Sequence, residues 1–130
     1  MNDLNDAVCR KDITAVVALL EQGAEINFQA RREPPALLNA VSKQDEGMVR
    51  VLLDWGADPN VAFQNDLTPL MSAAWKGNLA IIKLLLEKGA NVNQRGCVKD
   101  TALMHARYKH PKRTDIIETL LNAGAIEEEL

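Results

Sequence analysis

Short apolar stretches with helical spacing recur along the chain, separated by glycines and polar clusters. Val16, Leu19 and Leu20 share one helical face, as do Ile82, Leu85 and Leu86. Each stretch runs into a Leu-Leu pair: Leu19-Leu20, Leu52-Leu53, Leu85-Leu86 and Leu120-Leu121. Four residues after each pair begins, a glycine is followed by alanine, at Gly23-Ala24, Gly56-Ala57, Gly89-Ala90 and Gly124-Ala125. The glycines lie 33, 33 and 35 residues apart. The first three are followed by Asn27, Asn60 and Asn93 at the fourth position. No apolar run approaches the ~18 residues that cross a membrane.

A second landmark keeps the same period. Thr68-Pro69-Leu70-Met71-Ser72-Ala73 has a counterpart in Thr101-Ala102-Leu103-Met104-His105-Ala106, a weaker copy in Pro35-Ala36-Leu37-Leu38-Asn39-Ala40 and a truncated one in Leu4-Asn5-Asp6-Ala7. Each unit therefore reads as two short helices. The first opens on a Thr N-cap with Pro at its first position, as in Thr68-Pro69. The second opens on Asp12, Asp45, Asn78 and Thr114 as N-caps. The Gly-Ala glycine closes it, because glycine enters a left-handed C-terminal position without steric cost. Helices this short are marginal alone in water, so each must bury its apolar stripe against its partner and the next unit.

This combination of period, Thr-Pro-Leu, Leu-Leu and Gly-Ala-x-x-Asn resembles the ankyrin repeat family. Gly56-Ala57-Asp58-Pro59-Asn60 and Gly89-Ala90-Asn91-Val92-Asn93 lie close to the family pattern. The resemblance implies an all-α solenoid of four stacked helix-turn-helix repeats with short finger loops, over residues 1–126. The repeats fall at about 1–27, 28–60, 61–93 and 94–126, followed by an acidic tail over 127–130. Three departures stand out. Leu38, Met71 and Met104 replace the family's His after Thr-Pro-Leu, which leaves the Thr caps without that support. Arg32 and Glu33, Asn65 and Asp66, and Val98 and Lys99 replace the family's Asp-Gly finger turn, so irregular fingers are expected and Asp66 must take a conformation better suited to glycine. Repeat four also carries two extra residues around His110-Pro111-Lys112-Arg113, which predicts a longer, basic, exposed turn. At the ends, Asn2, Asp3, Asn5 and Asp6 and the run Glu127-Glu128-Glu129 read as polar outer faces, which terminal repeats need.

Composition narrows the function. Aromatics are only 4% of the chain, so small aliphatic packing is expected in the core. The net charge of −3 disfavours a nucleic-acid partner. The acidic N-terminal stretch has no secretory signal pattern, and two cysteines, Cys9 and Cys97, are too few for a disulfide scaffold. They read as free thiols three repeats apart, and the expected location is cytoplasmic.

The resemblance also implies a concave face built from finger tips and first-helix ends. Two outward columns follow the paired small residues: Cys9, Ser42, Trp75 and Tyr108, then Arg10, Lys43, Lys76 and Lys109. The second is basic in every repeat. It points to a protein partner with an acidic patch, although a cation in a last helical turn also gains about 0.3–1 kcal/mol from the helix dipole. Trp75 and Tyr108 are expected side by side as aromatic anchors. Arg31, Arg32, Gln64, Asn65, Leu67 and Val98 complete the surface from the fingers. Trp55, at the end of a second helix, falls elsewhere.

Nothing points to catalysis. The two histidines, His105 and His110, have no companion ligands for a zinc set. No nucleophile elbow, phosphate loop or Cys–His arrangement is present, and no cofactor or metal is implied. His105 reads as packed between helices and His110 as lying in the turn. The expected function is a monomeric, non-catalytic scaffold or adaptor. The alternative is a dedicated inhibitor, immunity or antitoxin-like, that blocks an enzyme sterically.

Overall fold

The computed structural model describes residues 3–29 and 32–127. Among these, eight helices run in chain order: α1 (Asp3–Cys9), α2 (Ile13–Glu21), α3 (Ala36–Ser42), α4 (Glu46–Asp54), α5 (Pro69–Lys76), α6 (Leu79–Glu87), α7 (Ala102–Lys109) and α8 (Thr114–Asn122). They pair within repeats as α1/α2, α3/α4, α5/α6 and α7/α8. The first helices pack in sequence, α1 on α3 on α5 on α7, and the second helices form a parallel row. The fold is all-α, with four stacked repeats.

The packing follows the 33-residue register. Leu4, Leu37, Leu70 and Leu103 are buried at equivalent positions, and so are Ala7, Ala40, Ala73 and Ala106. The alanine column lets neighbouring first helices approach closely. In the second row, Val16, Val49, Ile82 and Ile117 are buried in register. The core cluster holds aliphatic side chains and Met48, and no aromatic ring among the described residues. Each fully buried Leu or Ile contributes about 1.5–3 kcal/mol of transfer free energy, so the stack rests on many modest terms.

The Leu-Leu and Gly-Ala landmarks prove to be one hydrogen-bonded motif. Gly56 N–H donates to the Leu53 carbonyl at 3.0 Å, and Ala57 N–H donates to Leu52 at 3.0 Å. The same two bonds recur at Gly23-Ala24, Gly89-Ala90 and Gly124-Ala125. This is the Schellman closure, and it needs a left-handed residue at the glycine, where φ is +95° for Gly56. The first three first-helices end the same way, with a glycine only in the third. Lys11 and Gln44 take φ of +60° and +55°, and Gly77 takes +73°.

The asparagines four residues beyond the glycines join the repeats. Asn60 Nδ2 donates to the Gly89 carbonyl at 3.1 Å, and its Oδ1 accepts from Asn91 N–H at 2.6 Å. Asn27 binds Gly56 and Asp58, and Asn93 binds Gly124 and Ile126, in the same way. The side chains of Asp12, Asp45 and Asn78 cap their second helices, and those of Thr68 and Thr101 cap first helices, each accepting an N–H three residues on. The Thr caps form although Met71 and Met104 occupy the histidine position.

Two expectations are corrected. Thr114 is not the N-cap of α8: Arg113 occupies that position, 35 residues after the Asn78 cap as Gly124 is after Gly89, and makes no side-chain cap bond, so Thr114 is the first residue inside the helix. Asn5 does not face outward. It is only 5% exposed and donates from Nδ2 to the Pro34 carbonyl at 2.9 Å, joining α1 to the next finger. Asn2, Glu128 and Glu129 lie outside the described residues; Glu127 pairs with Arg107.

Candidate functional site

The surface of interest is built where the finger of one repeat passes the first helix of the repeat before it. The fingers hold little regular structure. Phe63 and Leu67 exchange N–H···O bonds of 2.9 and 2.7 Å around a turn in which Asn65 and Asp66 take φ of +64° and +58°. The short polar side chains of Asn and Asp tolerate this region better than most residues. In the next finger, Gly96 N–H donates to Asp100 at 2.8 Å, and Lys99 takes φ of +65°. Cys97 N–H donates to the Asn65 carbonyl at 3.1 Å, so neighbouring fingers are linked by backbone.

Each step between repeats leaves a cleft on this face. The first, of about 190 Å³, is bounded by Asn5 and Cys9 on one side and Glu33 and Pro34 on the other. The second, of about 310 Å³, lies between Leu38 and Ser42 and the finger carrying Phe63, Gln64 and Leu67. The third, of about 570 Å³, lies between Trp75, Tyr108 and the finger residues Val98 and Asp100.

Trp75 and Tyr108 are indeed neighbours. Their rings stack with centroids 6.0 Å apart and planes 15° apart, and both are exposed, Tyr108 at 80%. Lys109 Nζ lies 5.1 Å from the centre of the Trp75 ring, an arrangement contributing about 0.5–1 kcal/mol at an exposed site. His105 meets the same indole edge-on at 5.7 Å. His105 Nε2 also lies 2.5 Å from Asp100 Oδ2. This tie, between a half-buried His and the last residue of its finger, was hidden in the sequence. At the equivalent position of repeat two, Asn39 also reaches back five residues, but to a backbone acceptor, the Pro34 carbonyl, at 3.5 Å.

The basic column is uneven. Arg10 pairs with Asp6 at 3.2 Å within its own turn. Lys43, Lys76 and Lys109 are exposed, and among the described residues no carboxylate lies at ion-pair distance from them. Lys76 and Lys109 end their helices, whereas Lys43 is the C-cap of α3. Arg32, Gln64 and Asn65 are exposed finger residues, and Leu67 is half-buried. Arg31 lies outside the described residues. Trp55 caps the end of α4, in the other row of helices.

The insertion in repeat four is basic but does not stand free. His110 Nε2 lies 2.8 Å from the Trp75 carbonyl, and Arg113 reaches the Gly77 carbonyl at 3.4 Å. Arg113 also makes a two-point ion pair with Asp115, with both bonds at 3.0 Å. That bond holds the Asp115 carboxyl below its usual range and raises the guanidinium.

Among the described residues, no three His, Cys, Asp or Glu side chains converge as metal ligands, and no helix is long and apolar enough to cross a membrane. Cys9 and Cys97 are free and exposed. A row of paired helices with an open, ridged face defines a repeat protein of the kind that presents a surface. The chain matches the family of ankyrin repeats, in three copies over residues 4–96, and belongs to it. The fourth helix pair lies beyond the matched span. No curated protein matches the chain. Members of this family are generally protein–protein interaction modules, and the match points to no catalytic family.

Proposed function

We propose that this chain is a non-catalytic scaffold or adaptor that binds an acidic protein surface through the face formed by its fingers and first helices. One observation carries the reading. An exposed, stacked Trp75–Tyr108 pair carries Lys109 over its indole, Lys76 follows Trp75 in sequence, and among the described residues neither lysine lies at ion-pair distance from a carboxylate. Large exposed aromatics flanked by cations suit an interface anchor with a charged rim. The helix dipole accounts for a lysine at a helix end. It does not account for an indole and a phenol left in water. The chain's own net charge of −3 favours protein over nucleic acid as the partner. A cytoplasmic setting is consistent with two exposed thiols that remain unpaired.

The test is affinity capture from native lysate with wild type beside the Trp75→Ala/Lys76→Glu double variant, followed by binding of the purified prey. The double variant should keep its helical circular dichroism and lose the main prey. Capture unchanged by the two substitutions would overturn the reading.

A further inference from the structure

We infer that the groove takes an acidic segment in the polyproline II conformation, with a carboxylate at every third residue. This rests on the reading above and specifies the chemistry of the partner.

Lys43 is the C-cap of α3, and Lys76 and Lys109 are the last residues of α5 and α7, helices that pack directly on one another. Packed helix axes lie about 8–10 Å apart. A polyproline II segment rises ~3.1 Å per residue with three residues per turn, so every third side chain returns to one face after about 9 Å. The two periods agree. A β-strand reaches a similar distance in three residues, but its side chains alternate, so positions i and i+3 point to opposite faces. An α-helix advances only about 1.5 Å per residue, needs about six residues for the same distance, and returns a side chain to one face after about seven.

The clefts repeat at the same period as the lysines. The second and third are each made by a first helix and the next finger, and their linings include Ser42 and Trp75, the residues immediately before Lys43 and Lys76. Each holds apolar or aromatic side chains among polar ones: Leu38, Phe63 and Leu67 beside Ser42, Gln64 and Asn65 in one, Trp75 and Tyr108 beside Lys99, Asp100 and His105 in the other. Aromatic-walled grooves receive proline-rich chains because the preformed helix loses little entropy on binding. A three-residue turn can then present one acid to the lysine column and one ring to the cleft. The charge asymmetry fixes the extent. Arg10 is already paired with Asp6, so the column offers three cations, in repeats two to four.

The experiment uses the full chain carrying Trp55→Phe, which leaves Trp75 as the reporting indole. Three capped peptides are titrated by fluorescence and amide NMR. One contains three Pro-Pro-Glu triplets. The second has the same composition with the glutamates consecutive. The third is an alanine-based helix with glutamates seven residues apart. The triplet peptide should bind about ten-fold tighter than the clustered one, the expected gain from two additional exposed ion pairs. It should also shift the Trp75 indole signal and weaken on Lys43→Ala and on Lys109→Ala. Equal binding of triplet and clustered peptides, tighter binding of the helix, or no binding by any of them overturns the inference. If triplet and clustered peptides bind equally and both are lost in Trp75→Ala/Lys76→Glu, the spacing argument fails while the acidic-partner reading stands.

Discussion

Asn60 is joined to Asn91 in the following repeat: its Oδ1 accepts the Asn91 N–H at 2.6 Å while its Nδ2 donates to Gly89 at 3.1 Å. The side chain thus serves both a donor and an acceptor that the end of α6 leaves open. Asn60→Ala removes both bonds at once. At about 0.5–1.5 kcal/mol net per bond, the loss should be about 1–3 kcal/mol in urea unfolding. Asn60→Asp keeps the acceptor for Asn91 and forfeits only the bond to Gly89, so its loss should be smaller. Equal stability of Asn60→Ala and wild type would show that the repeats are held by apolar packing alone.

Helix capping separates two positions that look alike in sequence. Asn78 accepts from the Ile81 N–H at 3.1 Å, so Asn78→Ala should cost about 0.5–2 kcal/mol. Thr114 lies inside α8 and caps nothing, since its hydroxyl would have to stand one position earlier. Thr114→Ala should therefore stay within about ±0.5 kcal/mol of wild type. Chemical denaturation of the two variants side by side distinguishes the assignments.

What the sequence revealed follows the range of the interactions. Leu52, Leu53, Gly56 and Ala57 were legible because their hydrogen bonds close within five residues and demand one left-handed position. Asn60 was visible as a repeated letter, but its partners lie in the next repeat, so its role was not. Asn5 was misplaced because the first repeat lacks a finger, and only the next finger's Pro34 explains its burial. On the interaction face, the Trp75–Tyr108 neighbourhood followed from the period of 33 residues alone. The tie from Asp100 to His105 did not, because it crosses the Thr101 cap, where the chain turns from loop to helix.

The Arg113–Asp115 pair makes a prediction about acid. Its hydrogen bonds hold the Asp115 carboxyl below the usual value, so the pair's contribution is present above the unfolded carboxyl's pKa of ~3.9 and is lost as pH falls through the lowered folded value. Both groups are exposed, so the effect on stability should be small and screened by salt. The titration itself is the better measurement. In Arg113→Ala, side-chain NMR should show the Asp115 midpoint rising toward the ordinary range. An unmoved midpoint would mean that the α8 N-terminus, and not the guanidinium, sets it.

Gly77 and His110 couple the end of α5 to the insertion of repeat four. Gly77 ends α5 at φ +73°, and a Cβ built there would lie 2.8 Å from His110 Nε2, the atom that also meets the Trp75 carbonyl. Gly77→Ala therefore pays twice, once for the left-handed backbone and once for displacing the imidazole. The backbone cost is about 1 kcal/mol. The steric cost depends on His110, since the imidazole must leave the Trp75 carbonyl to make room. His110→Ala removes the obstruction and one hydrogen bond, leaving only the backbone cost when combined with Gly77→Ala. The double variant should thus be more stable than the sum of the single losses allows, with a coupling of about 0.5–3 kcal/mol. Strict additivity in a double-mutant cycle would show that the insertion does not rest on α5. Because His110 holds the carbonyl of Trp75 itself, the same cycle read by tryptophan fluorescence reports whether this docking also positions the aromatic pair.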